Sequence, residues 1–377
     1  MKILFICSEY PPFPNGGIGT FTKELASELA RNGHSVYVIG NYPIQKDTIE
    51  IIDNVTVYRK IKHKGLLGKI LDRITMYLSL KKIILNEKID IIETQEFGGP
   101  LAFYPKLNCK VITRLHGSVY YFKKLTNTLD FKGKIWKIIE SSSIKKSDKI
   151  VSVSNFTAQY TKKIFNICKD IETIHNGICV PMKYLQKSSF LKTRSFVFAG
   201  SLIRKKGILE LIDAWLLFEK YNNNVRLDIY GKDIENITIL IKSKLAEHDC
   251  TSIVIHEPVS KEKLLDIYIN SDFCIFPSKA EAFSLAPMEA MAISKVVLYS
   301  NQTSASELIT NNFNGILIQG NNPEYILSSL QNAMNLSIEQ YNHMALNAYN
   351  TINNNFNIRE INLLNTELYI RTLKNEN

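Results

Sequence analysis

The 377-residue chain has no C-x-x-C pair; its six cysteines (Cys7, Cys109, Cys168, Cys179, Cys250, Cys274) are scattered, without a histidine cluster beside them. That spacing excludes a disulfide framework and a zinc site, and it points to a reducing compartment. No run approaches the roughly 18 uncharged apolar residues that cross a bilayer. The opening MKILFICSEYPPFP has too short an apolar run for a secretion signal and reads as a first buried strand. A cytoplasmic protein is expected, with room for peripheral contact at the inner face of the plasma membrane. Acidic residues are outnumbered by basic ones in the first half only. Residues 1–183 hold 28 Lys/Arg against 16 Asp/Glu, whereas residues 184–377 hold 18 against 20. One half is strongly basic and the other close to neutral.

What is present is an alternation of short apolar runs with longer helical patterns. The strand candidates of the first half are ILFIC, VYVIG, VTVYR, IDIIET, KVITRLH, KIVSVS and IETIHN. The second half offers SFVFAG, VRLDIYG, SIVIH, DFCIFPS and KVVLYS. Continuous apolar strands separated by helices indicate parallel sheets covered on both faces. The pattern restarts near residue 195, after a polar stretch PMKYLQKSSFLKTRS taken as a linker. The expected architecture is α/β, two doubly wound domains facing across a cleft that holds the ligand. Their expected limits are 1–183 and 184–358, with 359–377 a C-terminal helix packing back toward the first domain.

Three junctions carry candidate chemistry. In SEYPPFPNGGIGTFTKELASEL, Gly16, Gly17 and Gly19 suit two readings: backbone amides approaching a phosphate, or a flexible turn. Thr20 or Thr22 is the expected cap of the helix that follows. The glycines lack dinucleotide spacing, and the second strand ends in Gly40–Asn41 without a ribose-binding acid, which argues against nicotinamide. In FVFAGSLIRKKGILELIDAW, Arg204, Lys205 and Lys206 immediately precede a helix N-terminus. Cations there oppose the helix dipole, an arrangement that a bound phosphate reconciles. In PSKAEAFSLAPMEAMA, Glu281 falls on a loop at a strand's carboxyl end and Glu289 inside the next helix, with Ser284 as its N-cap. Two carboxylates among small residues suit the diols of a sugar nucleotide.

This last segment resembles the E-x7-E signature of retaining glycosyltransferases of family 4, which have the GT-B fold. The resemblance runs over nearly the whole chain: PPFPNGGIGTFTKELASELARNGHSVYVIG, RLHGSVY, KIVSVSNFT, IHNGI and GSLIRKKG match the family's segments in order. It implies that Glu281, with the backbone of Phe283 and Ser284, contacts the donor sugar, and that Glu289 binds the ribose diol. It further implies that Lys206 neutralises the diphosphate, that Gly17 presents an amide to it, and that His116 lies beside the anomeric carbon. The sequence departs from the family at Ser201, where an arginine is usual, leaving Arg204 or Lys205 to supply the charge. Ala282 and Cys179 replace a usual glycine and aspartate.

The activity so implied is retaining transfer of a sugar from a nucleoside diphosphate, a UDP-sugar foremost, to a glycan or lipid-linked oligosaccharide. No D-x-D motif stands ready for Mg²⁺ or Mn²⁺, in agreement with a reaction needing no metal or cofactor. Residues 59–88 hold nine Lys/Arg and two Asp/Glu, with Leu67, Ile70, Leu71, Ile74 and Leu78 on one helix face and Lys69 and Arg73 on another. Tyr120, Tyr121, Phe122, Lys123 and Lys124 form a second basic-aromatic cluster. Both read as contacts with an anionic membrane carrying the acceptor. Abundant Ile, Asn and Lys suggest an AT-rich bacterial genome and a surface-polysaccharide pathway. Another GT-B enzyme, such as a sugar-nucleotide epimerase or an inverting transferase, is the first alternative, and a basic nucleic-acid-binding protein, suggested by the pI of about 9.1, ranks behind it. A nucleic-acid partner is not expected, since the basic residues form no recognisable binding module.

Overall fold

The computed structural model describes residues 1–13, 16–179 and 193–375. The expected linker lies, up to residue 192, outside them. Two compact units form: residues 1–179 with 357–377, and residues 180–356.

The first unit opens with β1 (Lys2–Ile6), α1 (Gly17–Arg31), β2 (Ser35–Tyr42), β3 (Thr48–Ile52), β4 (Val55–Ile61) and α2 (Gly65–Glu87). It continues through β5 (Ile91–Gln95), β6 (Lys110–Leu115), α3 (Val119–Leu125), α4 (Phe131–Ile144), β7 (Lys149–Ser152), α5 (Asn155–Phe165) and β8 (Ile171–Thr173). The sheet order is β3-β4-β2-β1-β5-β6-β7-β8. All neighbours are parallel except β3, an antiparallel edge strand. Ile49 and Ile51 point outward from it, so β3 alternates instead of reading as a buried run and escapes a search for continuous apolar segments.

The second unit holds β9 (Ser195–Ala199), α6 (Ile208–Phe218), β10 (Arg226–Tyr230), α7 (Ile237–Glu247), β11 (Ile253–His256) and α8 (Lys261–Ile269). Then come β12 (Phe273–Phe276), α9 (Leu285–Met291), β13 (Val296–Ser300), β14 (Ile316–Ile318), α10 (Pro323–Met334) and α11 (Ile338–Asn355). Its parallel sheet runs β11-β10-β9-β12-β13-β14, the doubly wound order. The three-residue β14 is too short to register as a pattern. Phe196, Trp215, Phe218, Phe273 and Tyr341 fill this unit's core.

The last helix, α12 (Ile358–Lys374), belongs to the first unit, where Ile361, Leu368 and Tyr369 join Ile3, Phe5, Leu25 and Val38 in one core. The strand order reverses between β1 and β5 in one unit and between β9 and β12 in the other. Open α/β sheets bind ligands at the carboxyl side of such switch points.

Candidate functional site

In the second unit, the loops leaving β9 and β12 meet at the switch point. Arg204–Lys206 form one turn of 3₁₀ helix ahead of α6. Gly207 follows with φ +71°, and a Cβ there would lie 2.0 Å from the Pro277 carbonyl oxygen, so only glycine lets the two loops touch. The Lys279 N–H donates to the Lys205 carbonyl at 2.8 Å, and Lys279 pairs with Glu210 of α6 at 2.5 Å. Thus held, Lys206 Nζ lies 2.5 Å from Glu281 Oε1. Burial alone would raise the Glu281 carboxyl, but Lys206 and Lys205 outweigh it and hold it below the usual range. Burial pushes the Lys205 ammonium down to about 8. Arg204 is exposed. The site is a cation-rich loop over the first turn of α6, whose leading amides have no intrahelical acceptors.

Ser284 occupies the N-cap of α9 but its side chain makes no capping bond. Phe283 is buried, with its ring 5.6 Å from that of Phe356. Glu289 is not the exposed acid usual on helices. It is largely buried and pairs with Lys261 at 3.2 Å.

His116 follows β6 in the first unit. Its N–H donates to Glu96 Oε2 at 2.8 Å, and its ring packs edge-on to Phe21 at 5.0 Å. Burial, then the charge of Arg114, lowers the imidazole to about 3, so it is neutral. Arg114 is itself buried in a two-pronged pair with Glu93 at 2.6 and 3.2 Å. Gly117 takes φ +85°, and Glu140 of α4 accepts the N–H groups of Gly98, Val119 and Tyr120 at 3.1, 2.8 and 3.1 Å. Two buried carboxylates, Glu96 and Glu140, therefore brace the His116 loop from behind. Sequence reasoning missed both, because an acid within a helical pattern such as α4's ordinarily faces water.

Several expectations need correction. Thr20 and Thr22 do not cap α1; Gly16 is the N-cap, and both hydroxyls bond back to carbonyls one turn earlier. Gly17 is the first residue of α1, and a side chain there would meet nothing within 4 Å among the described residues. Arg73 turns inward: its guanidinium donates to the carbonyls of Gly99 and Ala102 and stacks on Tyr104 at 5.0 Å. Tyr120 and Tyr121 are core residues, and Lys123 pairs with Asp130 at 3.0 Å, so the second cluster presents little beyond Lys124. Lys69 and the apolar face of α2 do stand in solvent, with Leu67 82% exposed and Ile74 53%. Among the described residues, no helix is long and apolar enough to cross a membrane, and no cluster of three His, Cys, Asp or Glu is placed to hold a metal.

The family profile described as Glycosyltransferase Family 4 matches residues 15–180, and that described as Glycosyl transferases group 1 matches residues 183–351. The chain is 26% identical over 351 residues to an uncharacterized glycosyltransferase of Methanocaldococcus jannaschii, covering 86% of this chain and 87% of that protein. In fold it resembles sucrose-phosphate synthase from Thermosynechococcus elongatus, with a TM-score of 0.83 at 16% identity over 100% of both chains. Anabaena HepE, solved in complex with UDP-glucose, matches with a TM-score of 0.74 at 14% identity, covering 98% of this chain and 99% of that one.

Proposed function

The chain belongs to the family 4-like glycosyltransferases and has the GT-B fold, and from that premise we propose that it transfers a sugar from a UDP-sugar with retention of configuration. The observation that carries the reading is the Lys206–Glu281 pair at the β9/β12 switch point. A departing diphosphate is an oxyanion, and catalysis needs positive charge where it leaves. Lys206, Lys205, Arg204 and the N-terminus of α6 supply that charge without a metal. Glu281 and the backbone of Phe283 and Ser284 hold the sugar hydroxyls, and Glu289 holds the ribose diol. Neutral His116 donates a hydrogen bond to the transferring sugar. The anomeric C–O bond to phosphate breaks as the acceptor oxygen bonds the same face, and the acceptor's proton passes to the departing phosphate. The UDP-glucose held by Anabaena HepE supports uridine as the base.

The acceptor is a glycan or lipid-linked oligosaccharide of bacterial surface-polysaccharide synthesis, met at the cytoplasmic membrane face. The apolar face of α2, flanked by lysines, supports that contact. Thermal-shift screening against UDP-, GDP-, ADP- and CMP-sugars tests the donor, with Glu289→Ala as control. One nucleotide should raise Tm, and the variant should lose the rise. Silence across the panel from folded protein would overturn the reading. Product stereochemistry by NMR separates retention from inversion.

A further inference from the structure

The groove between the β3–β4 hairpin and α2 encloses about 390 Å³, within the range of roughly 300–1,000 Å³ that holds small ligands. Thr48 and Ile49 line it from β3, and Ser79, Lys82 and Asn86 from α2. The three helical residues are three and four positions apart, so they form one stripe along the groove. β3 stands three strands out from β1 in the sheet. At about 4.8 Å per strand that is roughly 14 Å to the side of the switch point, away from the His116 loop.

The open hydrogen-bonding groups of the groove suit an oxyanion. The side chains of Thr48, Ser79, Lys82 and Asn86 have no partner among the described residues. Together they offer an ammonium, an amide NH2 and two hydroxyls. The two acids of the lining are engaged by protein donors. Asp47 pairs with Lys60 and accepts the Ile61 N–H at 2.9 Å, and Glu87 accepts the hydroxyls of Tyr37 and Tyr58 at 3.1 and 3.3 Å. Both carboxylates still count in the charge, but Arg59, Lys60 and Lys82 outnumber them three to two. An anion therefore meets a net positive lining, with Lys82 as its open cation. The rim is apolar. Ile49 is 68% exposed on an edge strand, where lysine or proline ordinarily guards against pairing. Leu78 and Leu85, four residues before and three after Lys82, are exposed at 58 and 78%. A ligand with an anionic head and an apolar tail satisfies both parts, whereas a free phosphate leaves the three apolar side chains in water.

We propose that this groove holds the phosphate head of a membrane lipid. Lys82, Asn86, Ser79 and Thr48 take the phosphate oxygens, and the acyl chains lie over Ile49, Leu78 and Leu85. The proposal rests on the membrane contact assigned to α2 and adds a headgroup site to it, and it stands whichever sugar the chain transfers.

Phosphorus NMR line-broadening on the full chain tests it, with dihexanoyl phosphatidylglycerol below its micelle concentration and with inorganic phosphate. The lipid should bind about tenfold or more tightly than inorganic phosphate, because only the lipid covers the apolar rim. Lys82→Met should weaken the lipid about tenfold. Ile49→Ser should weaken the lipid about fivefold and leave inorganic phosphate unchanged. Lys82 and Ile49 are exposed, so both variants should keep the parent's Tm. Excess UDP should not displace the lipid. Displacement by UDP would place the lipid at the Lys206 loop and overturn the inference. Inorganic phosphate binding as tightly as the lipid, with Ile49→Ser without effect, would overturn the lipid as the source. If vesicles of phosphatidylglycerol sediment the protein but Lys82→Met leaves the soluble lipid unchanged, the groove is overturned and the α2 contact stands. If vesicles do not sediment the protein at all, the α2 contact and the lipid assignment fall together.

Discussion

Lys206 Nζ and Glu281 Oε1 meet at 2.5 Å across two loops that only a glycine at position 207 allows to touch. The pair puts a cation and an acid at one point of the site, where the proposed function assigns the one to the diphosphate and the other to the sugar. Removing the lysine alone takes the nearest cation from a buried carboxylate and leaves it Lys205 and the Ser278 side chain. Lys206→Met should therefore cost about 1–3 kcal/mol of stability, discounted because Lys206 keeps some water contact and Lys205 stays near. Lys206→Met with Glu281→Gln should recover most of that loss in urea unfolding. Nucleotide affinity by calorimetry should stay low in both. Recovery of affinity in the double variant would show that the lysine serves the fold and not the phosphate.

His116 is held neutral, its imidazole lowered to about 3 by burial and by Arg114. It then keeps one protonation state from pH 5 to 9 and acts only as a neutral donor or acceptor. His116→Ala should lower kcat about 10²-fold with little change in Tm. The pH profile of the parent should contain no inflection that the variant lacks. An inflection near neutrality that disappears with His116 would mean that the ring titrates in the working enzyme.

Sequence periodicity made most of the architecture legible, because parallel strands buried on both faces leave unbroken apolar runs, as SFVFA and FCIF do. It failed at β3, where one face meets water, and at β14, which is three residues long. The loops of the candidate site stood out because Arg204–Lys206 and Glu281 are charged residues in apolar surroundings. The mutual pairing of Lys206 with Glu281 was not, since it depends on how two distant loops pack. Arg73 was misread for the same reason: helical spacing gives a face, but the carbonyls of Gly99 and Ala102 that turn the side chain inward come from another segment. Glu96 follows β5 and Gln95 ends it, like many residues at a strand's edge, and only the fold shows one buried and the other lining two hollows.

The apolar face of α2 has Leu67, Leu71 and Ile74 exposed at 82, 44 and 53%. Replacing all three by serine removes surface that no core contact needs. Tm should stay within a few degrees, while sedimentation with vesicles of phosphatidylglycerol and phosphatidylethanolamine should fall about tenfold or more. Binding unchanged by the triple variant would remove α2 as the membrane contact. Raised salt should weaken the parent's binding only in part, because the apolar component is not screened.

Glu96 offers the clearest link between the braced His116 loop and pH. It is fully buried, one oxygen accepting the His116 N–H and the other without a partner among the described residues. Burial raises its carboxyl from 4.5 to about 8, more than the backbone N–H groups lower it. The folded state therefore holds a proton that the unfolded chain has released between those two values. Stability from this group is complete below about 4.5 and is lost as pH rises through about 8. Glu96→Gln keeps an oxygen for the His116 N–H and puts an amide where the carboxylic O–H was, with nothing left to ionise. At pH 5 the two proteins should melt alike. At pH 9 the variant should be more stable, by a few kcal/mol at most. Glu140, raised by burial as well, titrates with the same sign, so some alkaline loss should persist in the variant. Identical melting curves at pH 5 and 9 would mean that Glu96 is ionised in the fold, with a counter-charge that the described residues do not show.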